Sequence, residues 1–189
     1  MIRLVASSDF PDMRDIYAQY IDTDVSFEYK LPTLAAYQKK FAAIQETFPC
    51  LVLELGGILT GYAYAQRLRQ RDAYQWSAEL SIYLDDSQTA GGLGSLLYLT
   101  LIELLKLQGV RTVYGAITQG NEISLRFHEK LGFEHFADFR KVGYKNGRWL
   151  DVHWVQMHIA PYDAPEPLTS FTALDKALVQ ELLFKANTR

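Results

Sequence analysis

"DDSQTAGGLGSLLYLTLIELLKLQG", residues 85–109, crowds Gly91, Gly92 and Gly94 together and then runs straight into an apolar-rich stretch. Leu93, Leu96, Leu97, Leu101, Leu104 and Leu105 fall on one helical face, and Gly109 supplies a stop. A strand-like run, "LSIYL" (residues 80–84), comes just before. A strand, a glycine-rich turn and a helix in that order can gather bare backbone N–H groups at a helix N-terminus, where the helix dipole adds roughly half a positive charge. The same residues can also be a plain turn. The P-loop is excluded because no Gly-Lys-Ser/Thr follows, and the spacing is not that of the GxGxxG dinucleotide fingerprint.

Working outward, "IRLV" reads as a first strand and "SSDFPDMRDIYAQYI" as a helix capped by Ser7, Ser8 or Asp9, with Phe10, Met13, Ile16, Tyr17, Tyr20 and Ile21 at helical spacing. A second helix is expected from Thr33, after Pro32, with Leu34, Tyr37, Phe41 and Ile44 on one face. Then the period changes. "CLVLELGGILTGYAYAQ" reads as two strands hinged at Gly56-Gly57, and "YQWSAELSIYL" as a third. After the glycine segment and its helix come a strand, "RTVYGAIT", and a short helix, "NEISLRFHEKLGF", that stops at Gly132. Two long strands then turn at Asn146-Gly147. The pattern predicts an α+β domain over residues 1–160. Residues 161–189 are expected to be a proline-bearing linker and an amphipathic helix with Leu174, Leu178, Leu182 and Phe184 as its apolar stripe.

Composition narrows the class. Among 189 residues, 49% are hydrophobic and 22% charged, a globular balance. No apolar run has the length that spans a bilayer, and the start lacks a secretory signal, so a cytoplasmic protein is expected. The net charge of −3 argues against nucleic-acid binding by bulk electrostatics. The lone Cys50 reads as a buried small hydrophobe. Since the four histidines show no HxxxH or HExxH spacing, no metal is expected. Against this mild acidity, "QRLRQRD" concentrates Arg67, Arg69 and Arg71. Glu79 also stands out, as a carboxylate in the middle of the apolar strand "WSAELSIYL". Such a group either faces solvent at an edge or faces a cavity, where it can act as a base.

The element order, with "VSFEYKLPT", "AYQWSAELSIYLD", "GLGSLLY", "FHEKLGF" and "GYKNGRWLDV", resembles the GNAT superfamily of acetyl-CoA-dependent N-acetyltransferases, and within it the phosphinothricin and methionine sulfone acetyltransferases. The resemblance covers roughly residues 1 to 160. It implies a GNAT fold, a mixed sheet of about six to seven strands flanked by helices, with residues 161–189 as a C-terminal helical extension. It implies acetyl-CoA as co-substrate, with Ile82, Tyr83 and Leu84 along the pantetheine arm and Ala90, Gly91, Gly92, Leu93, Gly94 and Ser95 around the pyrophosphate. Asn121 would bond the pantetheine region and Lys130 would lie near the coenzyme. Thr89 stands where the superfamily loop has Arg or Gln. Glu79 becomes the candidate base, and His128, where many members carry tyrosine, a candidate acid, base or substrate ligand. Phe27, Arg69, Arg71 and Tyr74 match positions that contact an anionic substrate. The implied activity is transfer of acetyl to the α-amino group of a small amino acid-like acceptor, by a homodimer. Another amine acceptor, such as an aminoglycoside or a protein N-terminus, and a non-catalytic acyl-CoA-binding module are the alternatives.

Overall fold

The computed structural model describes residues 1–86 and 92–188. Seven strands form one sheet: β1 (Ile2–Leu4), β2 (Cys50–Leu55), β3 (Ile58–Arg67), β4 (Ser77–Leu84), β5 (Thr112–Thr118), β6 (Glu134–Lys145) and β7 (Arg148–His158). Their spatial order is β1-β2-β3-β4-β5-β7-β6. Every neighbouring pair is antiparallel except β4–β5, which is parallel. Five helices flank it: α1 (Phe10–Ala18), α2 (Leu34–Thr47), α3 (Leu93–Gln108), α4 (Glu122–Lys130) and α5 (Lys176–Asn187). The sheet and its helices are the α+β architecture expected, at the upper end of the strand count.

Local chemistry explains the boundaries. The hairpin β2–β3 turns on Gly56 and Gly57, at φ +58° and +84°, and β6–β7 turns on Asn146 and Gly147, at +48° and +78°. Positive φ at both central residues gives the turn whose twist matches paired strands. Thr33 caps α2 by accepting from the Ala36 N–H at 3.2 Å. The first helix begins later than its Ser/Asp cluster suggests. Ser7–Asp9 form a 3-10 turn, and the Asp9 carboxylate accepts instead from the Ala6 N–H and the Arg3 guanidinium.

Strand alternation splits the core into two layers. Ala63, Ala65, Ala78 and Leu80 face α3, whose Leu97, Leu101, Leu104 and Leu105 are fully buried. Tyr62 and Tyr64 face α1 and α2 and meet Met13, Tyr17, Tyr37 and Phe41. Cys50 is buried in this second layer, and burial pushes its thiol well above the usual range.

The tail docks on its own domain. Gln108 Nε2 donates to Thr169 O at 2.8 Å, and Trp76 Nε1 donates to Glu166 O at 2.8 Å. Helix α5 packs on α3 and β1, and Asn187 closes a pair of bonds with Ile2, accepting from its N–H at 2.6 Å and donating to its carbonyl at 2.8 Å. The stripe it buries differs from the one expected. Val179, Leu183 and Ala186 are buried, while Leu178 and Phe184 are exposed. The spacing i, i+4, i+7 aligns the buried set, and Leu178 and Phe184 each lie one residue out of that line.

Candidate active site

The irregularity of the sheet lies between β4 and β5. They pair at Ser77–Thr112, Ala78–Val113 and Glu79–Tyr114, and there the pairing stops. Beyond the Leu80 N–H, which the Glu79–Tyr114 pairing sets on the Tyr114 carbonyl, β4 is bonded to β3 alone among the described residues. The Asp85 N–H donates to Thr60 O at 2.9 Å, which fixes the bonding phase: odd residues of β4 bond β3, and the Leu80 carbonyl and both backbone groups of Ile82 point into the gap. Glu79 is the last paired residue before the strands part.

Helix α3 closes one side of the gap. Gly92 caps it at φ +77°, and its carbonyl accepts from the Leu96 N–H at 3.1 Å. The amides of Leu93, Gly94 and Ser95 are the orphan donors of the first turn. Gly94 lies against β4 so closely that a Cβ there would come 2.8 Å from Leu84 Cδ1, and Ile82 borders the same spot. This suits an anionic ligand lying along β4 with its phosphates at the helix start. Ile82 and Leu84 carry their side chains to this side. Tyr83 does not: its ring stacks on Tyr62 and meets Tyr17 and Tyr20 edge-on on the opposite face, so only its backbone follows the gap. Ala90, Gly91 and Thr89 lie outside the described residues. Asn121 caps α4, its Oδ1 accepting from the Ser124 N–H at 3.1 Å, and Lys130 is exposed at the far end of that helix.

The other face carries the charge. Glu79 points toward the α1/α2 side, where Gln66 Nε2 donates to Oε1 at 3.3 Å. Burial raises its pKa above the usual carboxylate value, opposed by the Gln66 bond and the nearby charges of Arg69 and Lys40. Arg69 also lies 6.0 Å over the Trp154 ring. Trp154 Nε1 is buried with no protein partner among the described residues. A cavity of about 210 Å³, lined among others by Glu28, Lys40, Tyr64 and Tyr83, lies on this face. The Phe27 ring covers the backbone of Gly143 in β6. Arg71 and Tyr74 remain on the exposed loop between β3 and β4, Arg71 just before a short 3-10 turn (Asp72–Tyr74) and Tyr74 at its end, so Arg69 is the loop arginine whose charge reaches Glu79.

His128 is not at the surface of its short helix. It is 4% exposed, ringed by Tyr98, Phe127 and Phe133. Its Nδ1 donates to Ser124 O at 2.8 Å, which leaves Nε2 to accept from the Tyr98 hydroxyl at 2.9 Å. Desolvation lowers its pKa, so the ring is neutral near pH 7. As held here it presents no proton to a leaving group and no free nitrogen to an acceptor. The pair is well placed nonetheless. A Cβ at Gly115, one residue past the last β4–β5 pair, would touch His128 Nε2 at 3.0 Å, and the charge of Glu79 acts on the Tyr98 hydroxyl. Glu79 and the Tyr98–His128 pair therefore flank the parting of the strands from opposite sides. Sequence reading missed Tyr98 because it lies in a leucine stripe, and Trp154 because it reads as an ordinary inward strand residue. The single aromatic ring within that stripe was the available signal.

A mixed sheet whose central parallel strands separate at a half-buried carboxylate, with a glycine-capped helix N-terminus beside the gap, defines an acyl-transfer architecture. Residues 2–154 match the model of the acetyltransferase (GNAT) domain. The chain is 33% identical over 174 residues to a phosphinothricin N-acetyltransferase of Streptomyces viridochromogenes, covering 92% of this chain and 95% of that protein. It is 33% identical to an L-methionine sulfoximine/L-methionine sulfone acetyltransferase of Pseudomonas paraeruginosa, with 85% and 95% covered. A GNAT superfamily phosphinothricin acetyltransferase from Sinorhizobium meliloti, solved in complex with AcCoA, superposes with a TM-score of 0.82 at 28% identity over 90% of this chain and 97% of that one. The chain belongs to the GNAT acetyltransferase family and is an N-acetyltransferase.

Proposed function

We propose that this enzyme transfers acetyl from acetyl-CoA to the α-amino group of a small amino acid-like acceptor with an anionic or sulfone-type side chain. The observation that carries the reading is Glu79, a partly desolvated carboxylate at the point where β4 and β5 part. An ammonium group has no lone pair. Glu79 accepts its proton, directly or through water, and the freed amine attacks the thioester carbonyl; the C–S bond breaks, and the departing thiolate takes up the second proton that the nitrogen sheds. Backbone N–H groups of β4 at the gap polarise that carbonyl. When bound, acetyl-CoA supplies the activated acyl group. Ile82 and Leu84 would flank its pantetheine arm, and the first amides of α3 its pyrophosphate.

Acceptor choice follows the charge around Glu79. Arg69 and Lys40 favour an anionic or strongly dipolar acceptor and disfavour a polycationic aminoglycoside. Phe27 and Trp154 supply apolar walls. His128 enters this reading as the partner of Tyr98, holding that hydroxyl at the foot of the gap. The names of the relatives favour phosphinothricin, methionine sulfoximine and methionine sulfone as acceptors. We further read the protein as a cytoplasmic homodimer; among the described residues no helix is long and apolar enough to cross a membrane. Edge strand β6 and its hairpin expose Phe136, Phe139, Val142, Tyr144 and Trp149, an apolar margin that a second copy would cover. Residues 161–189 are read as an extension to the 1–160 catalytic domain.

The test is thiol release from acetyl-CoA across those three compounds, the standard amino acids and an aminoglycoside. Turnover confined to the sulfone-type and phosphinic acceptors is expected. Turnover only with the aminoglycoside, or none with any acceptor despite acetyl-CoA binding, would reject the assignment. Sedimentation at micromolar concentration reports the dimer separately, and a monomer would remove it.

A further inference from the structure

Residues three apart in a strand normally point to opposite faces. In β6 they do not, because a bulge intervenes. His135 pairs with Val155 but Ala137 pairs with Trp154, which leaves Phe136 as the extra residue. The slip turns His135 and Asp138 to the same face and sets Asp138 directly opposite His153 on β7. Bulges re-aim side chains, and this one gathers three ligand-type groups that a regular strand would divide between its two faces. Asp138 Oδ1 lies 2.7 Å from His135 Nε2 and 2.7 Å from His153 Nδ1. One ligand atom from each of the three residues falls within 4.8 Å of the others. The same groove is lined by Glu129 of α4 and by Glu134, so its surroundings are acidic. The cluster lies on the α4 side of the sheet with Val155, whereas Glu79 faces α1 and α2.

We propose that His135, Asp138 and His153 form a surface binding site for a divalent transition-metal ion, Zn(II) being the best match, separate from the acetyl-transfer site. Two imidazole nitrogens and one carboxylate oxygen are the donor set of many zinc sites, leaving a fourth position for water; calcium or magnesium would demand an all-oxygen shell. In the metal-free arrangement each ring donates an N–H to the shared carboxylate oxygen. The ion takes the place of those two hydrogens: each ring moves its proton to its other nitrogen, so neutral rings release none on binding. Tetrahedral coordination sets neighbouring donor atoms about 3.3 Å apart. Each contact must therefore open by about 0.6 Å, which half-exposed side chains on a hairpin can do by small rotations.

The site clips β6 to β7, so its signature is metal affinity and hairpin stability. Zn(II) and Co(II) titrations of the full-length protein, by calorimetry and by visible cobalt absorption, should give one ion per chain at pH 7.5. His135→Gln, Asp138→Asn and His153→Gln should each weaken binding tenfold or more, while His158→Gln, at the exposed histidine outside the cluster, should not. Zn(II) should raise the melting temperature of the wild type and leave that of His153→Gln unchanged. Melting curves in EDTA identify which variants are folded. Absence of stoichiometric binding by the wild type, or equal affinity in a folded His153→Gln protein, would overturn the site.

Discussion

Two titratable groups at the parting of β4 and β5 have opposite pH signatures. Glu79 has its pKa raised, so its protonated form is the one the fold prefers. Its contribution to stability is present below the usual carboxylate pKa and is lost as pH rises through the raised value. Glu79→Gln mimics the protonated form. It should therefore lower turnover by on the order of 10²-fold or more while raising the melting temperature at pH 7, an advantage that vanishes below about pH 4. Paired kinetics and thermal melts read both effects, and unchanged turnover would reject the base. His128 has its pKa lowered, so its contribution is complete above about pH 6.5 and is lost as pH falls through the depressed value. Urea unfolding between pH 7.5 and 5 should show wild-type stability declining, with a shallower decline in His128→Gln. Equal slopes would mean that this ring is not held neutral.

Among the elements, the tightest constraint on the acceptor side is where Phe27 meets β6. A methyl group at Gly143 would lie 2.7 Å from Phe27 Cζ, and the half-exposed ring has solvent to swing into. Gly143→Ala should raise the acceptor KM several-fold with acetyl-CoA affinity unchanged, and identical kinetics would remove Phe27 from the acceptor wall. At the start of α3, Gly92 has open space around its missing Cβ, so only its φ of +77° resists substitution. Gly92→Ala should destabilise by about 1–2 kcal/mol through left-handed strain and weaken acetyl-CoA binding more than tenfold; full affinity would reduce the glycine turn to a structural role. Elements such as α3 and the two glycine-centred hairpins were legible because their signals are local: a repeated apolar face, a stop glycine, paired positive-φ residues. Glu79 was legible as a charge in an apolar strand. The Tyr98–His128 bond and the His135–Asp138–His153 cluster were not. The first joins two helices distant in sequence, and the second depends on a one-residue bulge that periodicity cannot register. The placement of Arg71 was not legible for a related reason, since a loop of alternating arginines does not reveal which of them turns toward the sheet.

At the scale of the molecule, the tail and the sheet stabilise one another. Val179 and Leu183 are buried against the domain, and Asn187 bonds both backbone groups of Ile2. Burial of such side chains is worth about 1.5–3 kcal/mol each. A chain ending at residue 160 should therefore melt well below the full-length protein, and Asn187→Ala should show a smaller drop in the same direction. An unchanged melting temperature on truncation would show the tail to be merely laid against the surface. The three-pair junction of β4 and β5 has a different consequence. It divides the sheet into two blocks, four strands on one side and three on the other, that share almost no backbone bonds across the seam. Among the backbone groups that face the seam, the amide proton of Ile82, although deep in the sequence of a central strand, should exchange with solvent deuterium like that of an edge. A bound donor lying along them would act as the missing neighbour, and catalysis and protection from exchange would rise together as the seam is zipped shut.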